Sequence, residues 1–304
     1  MPSRVLVVTA AFFIVVFSFA PSGASAQRRQ RRPRTPVSDA APAGVAAGIG
    51  LMGAGAMLYM STPEQAPQQQ AGVWRGGLGG DDIVRGNMRA TSGRGQEGAM
   101  NISDLLMVAT ILNAGIVDSV IAPLVQGDPD LAWQASAAHA TALGLTLTLG
   151  GAVKMLVSRA RPYESECRNG QGEGCNDGDI YQSFYSLHTG VAFTEAGFSC
   201  AMHMSRNLYG DEGTDALACG ASLALAATTG AMRVVADRHY LTDVLIGAVL
   251  GFAVGYVVPL LLVPSRAEPD PDEEDSSFTW SAVPTFSMSE TEGTSIGVAI
   301  SGTF

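Results

Sequence analysis

The sequence predicts an all-α protein whose core is a bundle of apolar helices between residues 101 and 265. Apolar segments in this region are separated by short polar turns, and none of them alternates with the period of two that marks a strand. Pro162 ends the second segment, because proline cannot continue a helix. The predicted helical segments are 102–125, 131–158, 188–208, 215–236 and 241–263.

The same segments leave two kinds of bundle open, one soluble and one embedded in a membrane. Segment 241–263 is long and apolar enough to span a bilayer. Other segments carry Asn113, Asp118 and Glu195, which suit protein-facing positions better than lipid-facing ones. The turn around Asp211 is acidic, so it gives no excess of Lys and Arg from which to orient the helices.

The N-terminal residues 1–26 have the pattern of a secretory signal peptide. Arg4 precedes the apolar run 5–20, and Ala24-Ser25-Ala26 forms a small-residue cleavage site. The protein is therefore predicted to be exported, with an uncleaved anchor helix as the alternative. Residues 27–100 are predicted to form an Arg- and Pro-containing leader, an apolar glycine-rich segment at 43–60 that does not cross the membrane, and a linker.

The net charge of −10 is concentrated in the predicted tail, residues 266–304, which is acidic and has no basic residue after Arg266. We predict a flexible tail whose last residues form either a β-hairpin or a disordered end. Nucleic-acid binding requires a basic face on the folded domain, and the only basic cluster lies at 28–34 in the leader. Nucleic acid is therefore excluded as a partner.

Export makes the four cysteines candidates for disulfide bonds. Cys167 and Cys175 lie in a loop rich in Gly, Asn and Asp, where a bridge would stiffen a segment that has no core of its own. Cys200 and Cys219 lie in two apolar segments joined by a turn. They either pair across a helical hairpin or remain buried thiols. No cysteine or histidine spacing indicates zinc.

A cluster of cations and one histidine predicts the chemistry. Lys154 is the only lysine in the chain, and it lies seven residues before Arg161, so both are predicted to project from one helix face. With Arg233, they form a site for a multiply charged oxyanion such as phosphate. His239 and Asp243 are four residues apart, so the carboxylate can accept the imidazole N–H and leave the other ring nitrogen free to attack.

A second histidine is predicted to act beside the first. His188 opens a helix, where it is placed to protonate a leaving oxygen as general acid. Ser186 and the amides of that helix N-terminus offer neutral donors to phosphate. His139 and His203 have no such partners in the sequence and are predicted to be packing or surface histidines.

These motifs resemble those of the type 2 phosphatidic acid phosphatases, which share a fold and site with class A acid phosphatases and vanadium haloperoxidases. That family carries K-x6-R-P, then P-S-G-H, then S-R-x5-H-x3-D. The first motif is complete here, from Lys154 to Pro162. In the third motif Met232 replaces the serine, and in the second Tyr185 and Leu187 replace the proline and the glycine.

The resemblance, which covers about residues 100–263, implies a phosphohistidine on His239, oriented by Asp243, with His188 acting as acid and then as base. The residues that it implies for holding the phosphate oxygens are Lys154, Arg161, Ser186, Leu187 and Arg233. The family's glycine lets a backbone N–H approach phosphate closely. The side chain of Leu187 must therefore find space elsewhere.

The function predicted from these residues is a phosphatase that needs no metal ion or cofactor and hydrolyses a phosphomonoester or a pyrophosphate. Export and apolar helices favour a lipid phosphate over a small soluble phosphoester, with the site facing the periplasm if the host is Gram-negative. Vanadate is the expected inhibitor. Two alternatives are a haloperoxidase, in which vanadate on His239 would be the cofactor, and a non-enzymatic envelope protein that keeps the fold.

Overall fold

A computed structural model describes residues 74–170, 175, 178–263, 279–289 and 293–303. The predicted signal peptide and the apolar segment 43–60 lie outside these residues. The described chain is a helical bundle followed by a β-hairpin, and the predicted all-α bundle is confirmed. Its helices are α1 (Asp81–Met88), α2 (Gly93–Leu112), a π-helix (Asn113–Ile121), α3 (Ala122–Val125), α4 (Pro129–Val157), α5 (Glu164–Arg168), α6 (Leu187–Arg206), α7 (Glu212–Val235) and α8 (Leu241–Leu262).

Helix α6 is the centre of the bundle. Its residues from Thr189 to His203 are buried, apart from the partly exposed Phe193. Helix α8 packs so closely on α6 that side chains cannot fit between them. A Cβ added at Gly251 would lie 2.1 Å from the Gly190 carbonyl oxygen. Glycine at four-residue intervals in α8 thus lets the two backbones touch, as in closely packed helix pairs.

The first long helical segment contains a π-helix that the sequence does not predict. Residues Asn113–Ile121 follow α2 without a break and lead into α3, so the three pieces form one continuous rod. Asp118 is fully buried within the π-helical part. A wider helical turn at this point changes which side chains face the core, and such insertions often occur near polar or functional groups.

The outer surface of the bundle is apolar. Large hydrophobic side chains are exposed on several helices, among them Ile102, Leu105, Val108, Leu112, Ile116, Leu217, Leu245, Val249, Val257 and Leu261. Three helical rods in the described part of the chain are long and apolar enough to cross a membrane, namely Gly93–Val125, Glu212–Val235 and Leu241–Leu262. This surface is compatible with a membrane-embedded or exported protein.

Two disulfides are present in the described residues, and the described cysteines include no free thiol. Cys167 and Cys175 close the loop after α5, with their Cα atoms 5.4 Å apart. Cys200 and Cys219 join α6 to α7, with Cα atoms 4.4 Å apart. Both predicted pairs are therefore formed, and the two cysteines of the helical hairpin are bonded to each other.

The C-terminal residues form the hairpin that the sequence left open. Strands β1 (Thr279–Ser289) and β2 (Gly293–Thr303) pair antiparallel, in a register that runs from Thr279 opposite Thr303 to Ser289 opposite Gly293.

Candidate active site

One end of the bundle contains a small cavity where helix ends and loops meet. About 350 Å³ of space, part of it open to solvent, lies within this cavity, and six of the eight residues predicted for the site line it. The lining residues are Lys154, Arg161, Asp179, Gln182, Leu187, His188, Arg233 and His239. Segments far apart in sequence therefore bring the predicted cations and both predicted histidines to a single point.

The two cations of the first motif reach the cavity by different routes. Lys154 lies in the last turn of α4, but the helix ends at Val157, and Ser158 takes a left-handed conformation with φ of 47°. Arg161 therefore projects from the segment after the helix, not from the helix face that the sequence predicts. That segment is held by neighbouring backbone, since the Arg161 N–H donates to the Ile180 carbonyl at 2.8 Å.

The cations are buried and only partly neutralised. Lys154, Arg161 and Arg233 are 7%, 3% and 5% exposed. The ammonium of Lys154 donates to the Gln182 carbonyl at 2.9 Å, and the guanidinium of Arg161 pairs with the Asp179 carboxylate. Among the described residues, Arg233 Nε has no hydrogen-bond partner. A buried donor left without an acceptor is costly, so a bound anion would relieve that cost.

Asp179 is an acid in the cavity that the motifs do not contain. Burial acts to raise its pKa, but the charges of Arg161 and then Lys154 hold the pKa of Asp179 below its ordinary value. The carboxylate is therefore ionised at neutral pH. It offsets part of the positive charge of the cavity while no anion is bound.

His239 is fully enclosed in the loop between α7 and α8. Its Nδ1 lies 2.8 Å from the Ser183 carbonyl oxygen, to which the Nδ1–H donates, and this leaves Nε2 with the lone pair. Burial, and then the positive charges of Arg161, Lys154 and Arg233, hold the pKa of His239 well below its ordinary value. The imidazole is therefore neutral at physiological pH, which is the state of a nucleophile.

Asp243 contacts different partners from those that the sequence predicts. Its Oδ2 lies 3.8 Å from Nδ1 of His239, beyond hydrogen-bond distance. Instead Oδ2 accepts from Ser183 Oγ at 2.6 Å, and Oδ1 accepts from Arg159 at 2.5 Å. Asp243 thus acts on His239 through Ser183, because the carbonyl of Ser183 is the acceptor of the imidazole N–H.

His188 has a carboxylate partner that sequence reasoning missed. Its Nε2 lies 3.1 Å from Oδ1 of Asp104 in α2, and the same oxygen accepts from Arg233 at 3.1 Å. Asp104 therefore joins the candidate general acid to Arg233, one of the cations predicted to bind phosphate. The available signal was an acid in a mostly apolar segment, which also contains Asp118, and no spacing links residue 104 to the motifs.

The two departures from the family pattern fit the local packing. Leu187 lines the cavity, and its side chain lies over Gly150 of α4, where an added Cβ would come within 2.4 Å of Leu187 Cδ1. Tyr185 is buried, with its hydroxyl near the same glycine. Glycine at 150 therefore provides the space that leucine at 187 requires.

Ser186 does not reach the cavity, contrary to its predicted role as a phosphate donor. It is fully buried, and its hydroxyl accepts from Thr189 Oγ1 at 2.9 Å within the first turn of α6. Its backbone N–H donates to the Asp243 carbonyl at 3.1 Å. The backbone N–H is therefore occupied by the protein, and Ser186 links α6 to the start of α8.

Comparison with known proteins gives one match. Residues 135–266 match the family model of the PAP2 superfamily, and this confirms the predicted resemblance over that part of the chain. The match contains all three motifs but begins after α1 and α2. No curated protein and no solved structure matches the sequence.

Proposed function

Starting from the match of residues 135–266 to the PAP2 superfamily, whose members are generally phosphatases or related enzymes, we propose that the protein hydrolyses a phosphomonoester or a pyrophosphate without a metal ion. The observation that carries the proposal is a neutral, buried His239 in a cavity lined by three buried cations. This combination provides both a nucleophile and an environment for negative charge.

In the first step, Nε2 of His239 attacks phosphorus, a P–N bond forms and the bond to the leaving oxygen breaks. His188 gives the leaving oxygen a proton. In the second step, a water molecule gives a proton to His188 and attacks phosphorus, and the P–N bond breaks to release phosphate. Lys154, Arg161 and Arg233 stabilise the charge on the phosphoryl oxygens, which is the main catalytic requirement of phosphoryl transfer.

A lipid phosphate is the substrate class that the surface favours. The cavity residue Lys154 is close in sequence to Leu156, which is 79% exposed, and Asp104, the partner of His188, is next to Leu105, which is 44% exposed. Apolar side chains so near a charged cavity suit a substrate with a phosphate head and an apolar tail. The apolar outer faces of the bundle would place that cavity at the lipid boundary.

We propose that the active site faces an oxidising compartment outside the cytoplasm. The predicted export signal and the two disulfides support this, because disulfides form in such compartments. If the long helices α2 to α8 cross the membrane and segment 43–60 does not, both halves of the site lie on the outer side. A cysteine placed at Gln171, in a variant without Cys167 and Cys175, should then react with a membrane-impermeant thiol reagent in intact spheroplasts. Reaction only after lysis would place the site in the cytoplasm.

The decisive experiment is a substrate screen with full-length protein in detergent, using lipid phosphates, soluble phosphomonoesters and pyrophosphate, with and without EDTA. We expect EDTA-resistant release of phosphate, fastest with lipid substrates, and inhibition by vanadate, because vanadate resembles the five-coordinate transition state. His239→Ala is the negative control. Halide oxidation by the vanadate-loaded protein with peroxide would instead support the haloperoxidase, and no turnover of any substrate would support a non-enzymatic protein.

A further inference from the structure

We propose that Arg159, held by Asp81 of the N-terminal segment, is a positioning residue that fixes the orientation of His239 through Asp243 and Ser183. The proposal rests on the proposed function and extends it to α1 and the residues before it. These lie outside the part of the chain that matches the superfamily.

Arg159 is the largest fully buried side chain in the described residues, with an exposure of 0%. Its guanidinium donates to Asp81 at 2.9 Å and to Asp243 at 2.5 Å. The rings of Trp74 and Tyr240 lie 4.0 and 4.3 Å from its central carbon. A buried cation must be compensated in this way, since an unpaired one would be strongly destabilising.

Arg159 is bonded to both groups that orient His239. Its side chain is bonded to Asp243, and its backbone carbonyl accepts from the Ser183 N–H at 2.9 Å. Ser183 in turn donates its hydroxyl to Asp243 at 2.6 Å and accepts from His239 Nδ1 at 2.8 Å. The position of the imidazole is therefore set by a closed network, and Arg159 connects two of its members.

Asp81 holds the far side of that network. Its carboxylate accepts from Arg159, from the Thr242 hydroxyl at 2.6 Å and from the Thr242 N–H at 2.9 Å. Thr242 precedes Asp243, so Asp81 bonds both to the cation and to the start of α8. Arg159 does not line the cavity, so it does not belong with the cations that would hold phosphate.

These contacts predict that loss of the network weakens transition-state binding much more than ground-state binding. Inorganic phosphate depends on the three cavity cations, whereas vanadate in a transition-state geometry also depends on the position of His239 Nε2. Loss of the network should weaken vanadate binding and lower kcat, while phosphate binding stays near that of the wild-type protein. Supporting residues of this kind change activity by about 10- to 100-fold.

The test uses the full-length protein in detergent, with Asp81→Asn, Arg159→Lys and Arg159→Met. For each variant, kcat, vanadate binding, phosphate binding and thermal stability are measured. The matched control is Asp82→Asn, since Asp82 is the neighbouring acid in the same turn of α1 but is exposed to solvent. We expect Asp81→Asn to lower kcat and vanadate affinity by about tenfold, with unchanged phosphate affinity, and Asp82→Asn to change none of these.

Equal losses of phosphate and vanadate binding would show a general structural role and overturn the proposal, as would wild-type kcat and vanadate affinity in Asp81→Asn. If Arg159→Met does not fold, Asp81→Asn decides the result, because asparagine keeps the shape of the side chain. If the wild-type protein turns over no substrate, the proposed function fails, but the comparison of vanadate with phosphate still tests the network.

Discussion

Two clusters of histidine and acidic residues lie in this bundle, near opposite ends of α6, and only one of them has the features of an active site. The first surrounds His188 and His239. The second, the distal cluster, consists of Asp118, His139, Glu195, His203 and Asp215. His203 lies fifteen residues after His188 in the same helix, a separation of about 22 Å at the rise of an α-helix.

The distal cluster is closed by its own ion pairs. Both ring nitrogens of His203 face carboxylates, Asp215 at 2.5 Å and Asp118 at 3.3 Å, and His139 faces Glu195 at 2.7 Å. None of its members lines the active-site cavity. In the first cluster, by contrast, the imidazole of His239 points towards buried cations and open space.

The difference shows what distinguishes a functional histidine from a structural one when both are buried. In the distal cluster the imidazole nitrogens pair with carboxylates, and these pairs hold neighbouring helices together. At the candidate active site the cations outnumber the acids, and the Arg233 Nε lacks a partner among the described residues, whereas the unpaired atoms of the distal cluster are carboxylate oxygens of Glu195 and Asp215. The excess positive charge lies in a cavity that a ligand can enter, so it is available to bind an anion.

His239→Ala should give the largest effect and the clearest contrast. We expect kcat to fall by about 10⁴-fold or more, the scale seen when a nucleophile is removed. Thermal stability should stay close to that of the wild-type protein, because His239 lies in a loop beside a cavity. Activity assays and thermal unfolding on the same preparation measure both quantities. Substantial residual turnover would show that His239 is not the nucleophile.

His203→Ala should show the opposite pattern. Removing the imidazole leaves two buried carboxylates side by side, and breaking a buried ion pair typically costs about 3–5 kcal/mol. We expect a lower unfolding temperature with unchanged kcat per folded molecule. A loss of kcat without a loss of stability would show that the distal cluster takes part in catalysis. It would contradict the structural role assigned to that cluster.

Asp104→Asn tests the role of the carboxylate that joins His188 to Arg233. The carboxylate holds His188 but also occupies Arg233, so its removal should lower kcat and free a cation for phosphate. We expect kcat to fall by about tenfold, at the lower end of general acid catalysis, while KM does not rise. A rise in KM with unchanged kcat would mean that Asp104 contacts the substrate instead.

The pH profile gives the smallest expected effect. Because the pKa of His239 is depressed, the imidazole stays neutral until the pH falls through that lowered value. The acidic limb of kcat/KM assigned to His239 should therefore lie below about pH 6.5, the ordinary histidine value. An acidic limb at or above that value in the wild-type protein would show that burial and the nearby cations do not lower the pKa of His239.

The sequence predicted the parts of the site that recur at fixed spacing. Lys154, Arg161, His188, Arg233 and His239 were predicted because each belongs to a motif of fixed spacing, and all five line the cavity. Leu187 was found as a departure from one of these motifs. The helical bundle was predicted because its apolar segments are long and well separated.

The residues that were missed come from tertiary contacts between distant segments. Asp104 meets residues 188 and 233, and Asp81 meets Arg159, with no local pattern that links either pair. The position of Arg161 was mispredicted because Ser158 adopts a left-handed conformation that ends α4. Arg161 therefore lies outside the helix that carries Lys154. The predicted direct hydrogen bond between Asp243 and His239 is not formed, because the carbonyl of Ser183 takes its place and no sequence pattern indicates that contact.

The glycine contact between α6 and α8 has a mechanical consequence. His188 begins α6 and Asp243 begins α8, and the two backbones touch where Gly247, Gly251 and Gly255 leave no intervening side chains. The disulfide between Cys200 and Cys219 fastens α7 to the same pair. These contacts and the disulfide tie α6, α7 and α8 together, so the spacing between His188 and Asp243 is set by backbone contact and not by side chains that can repack.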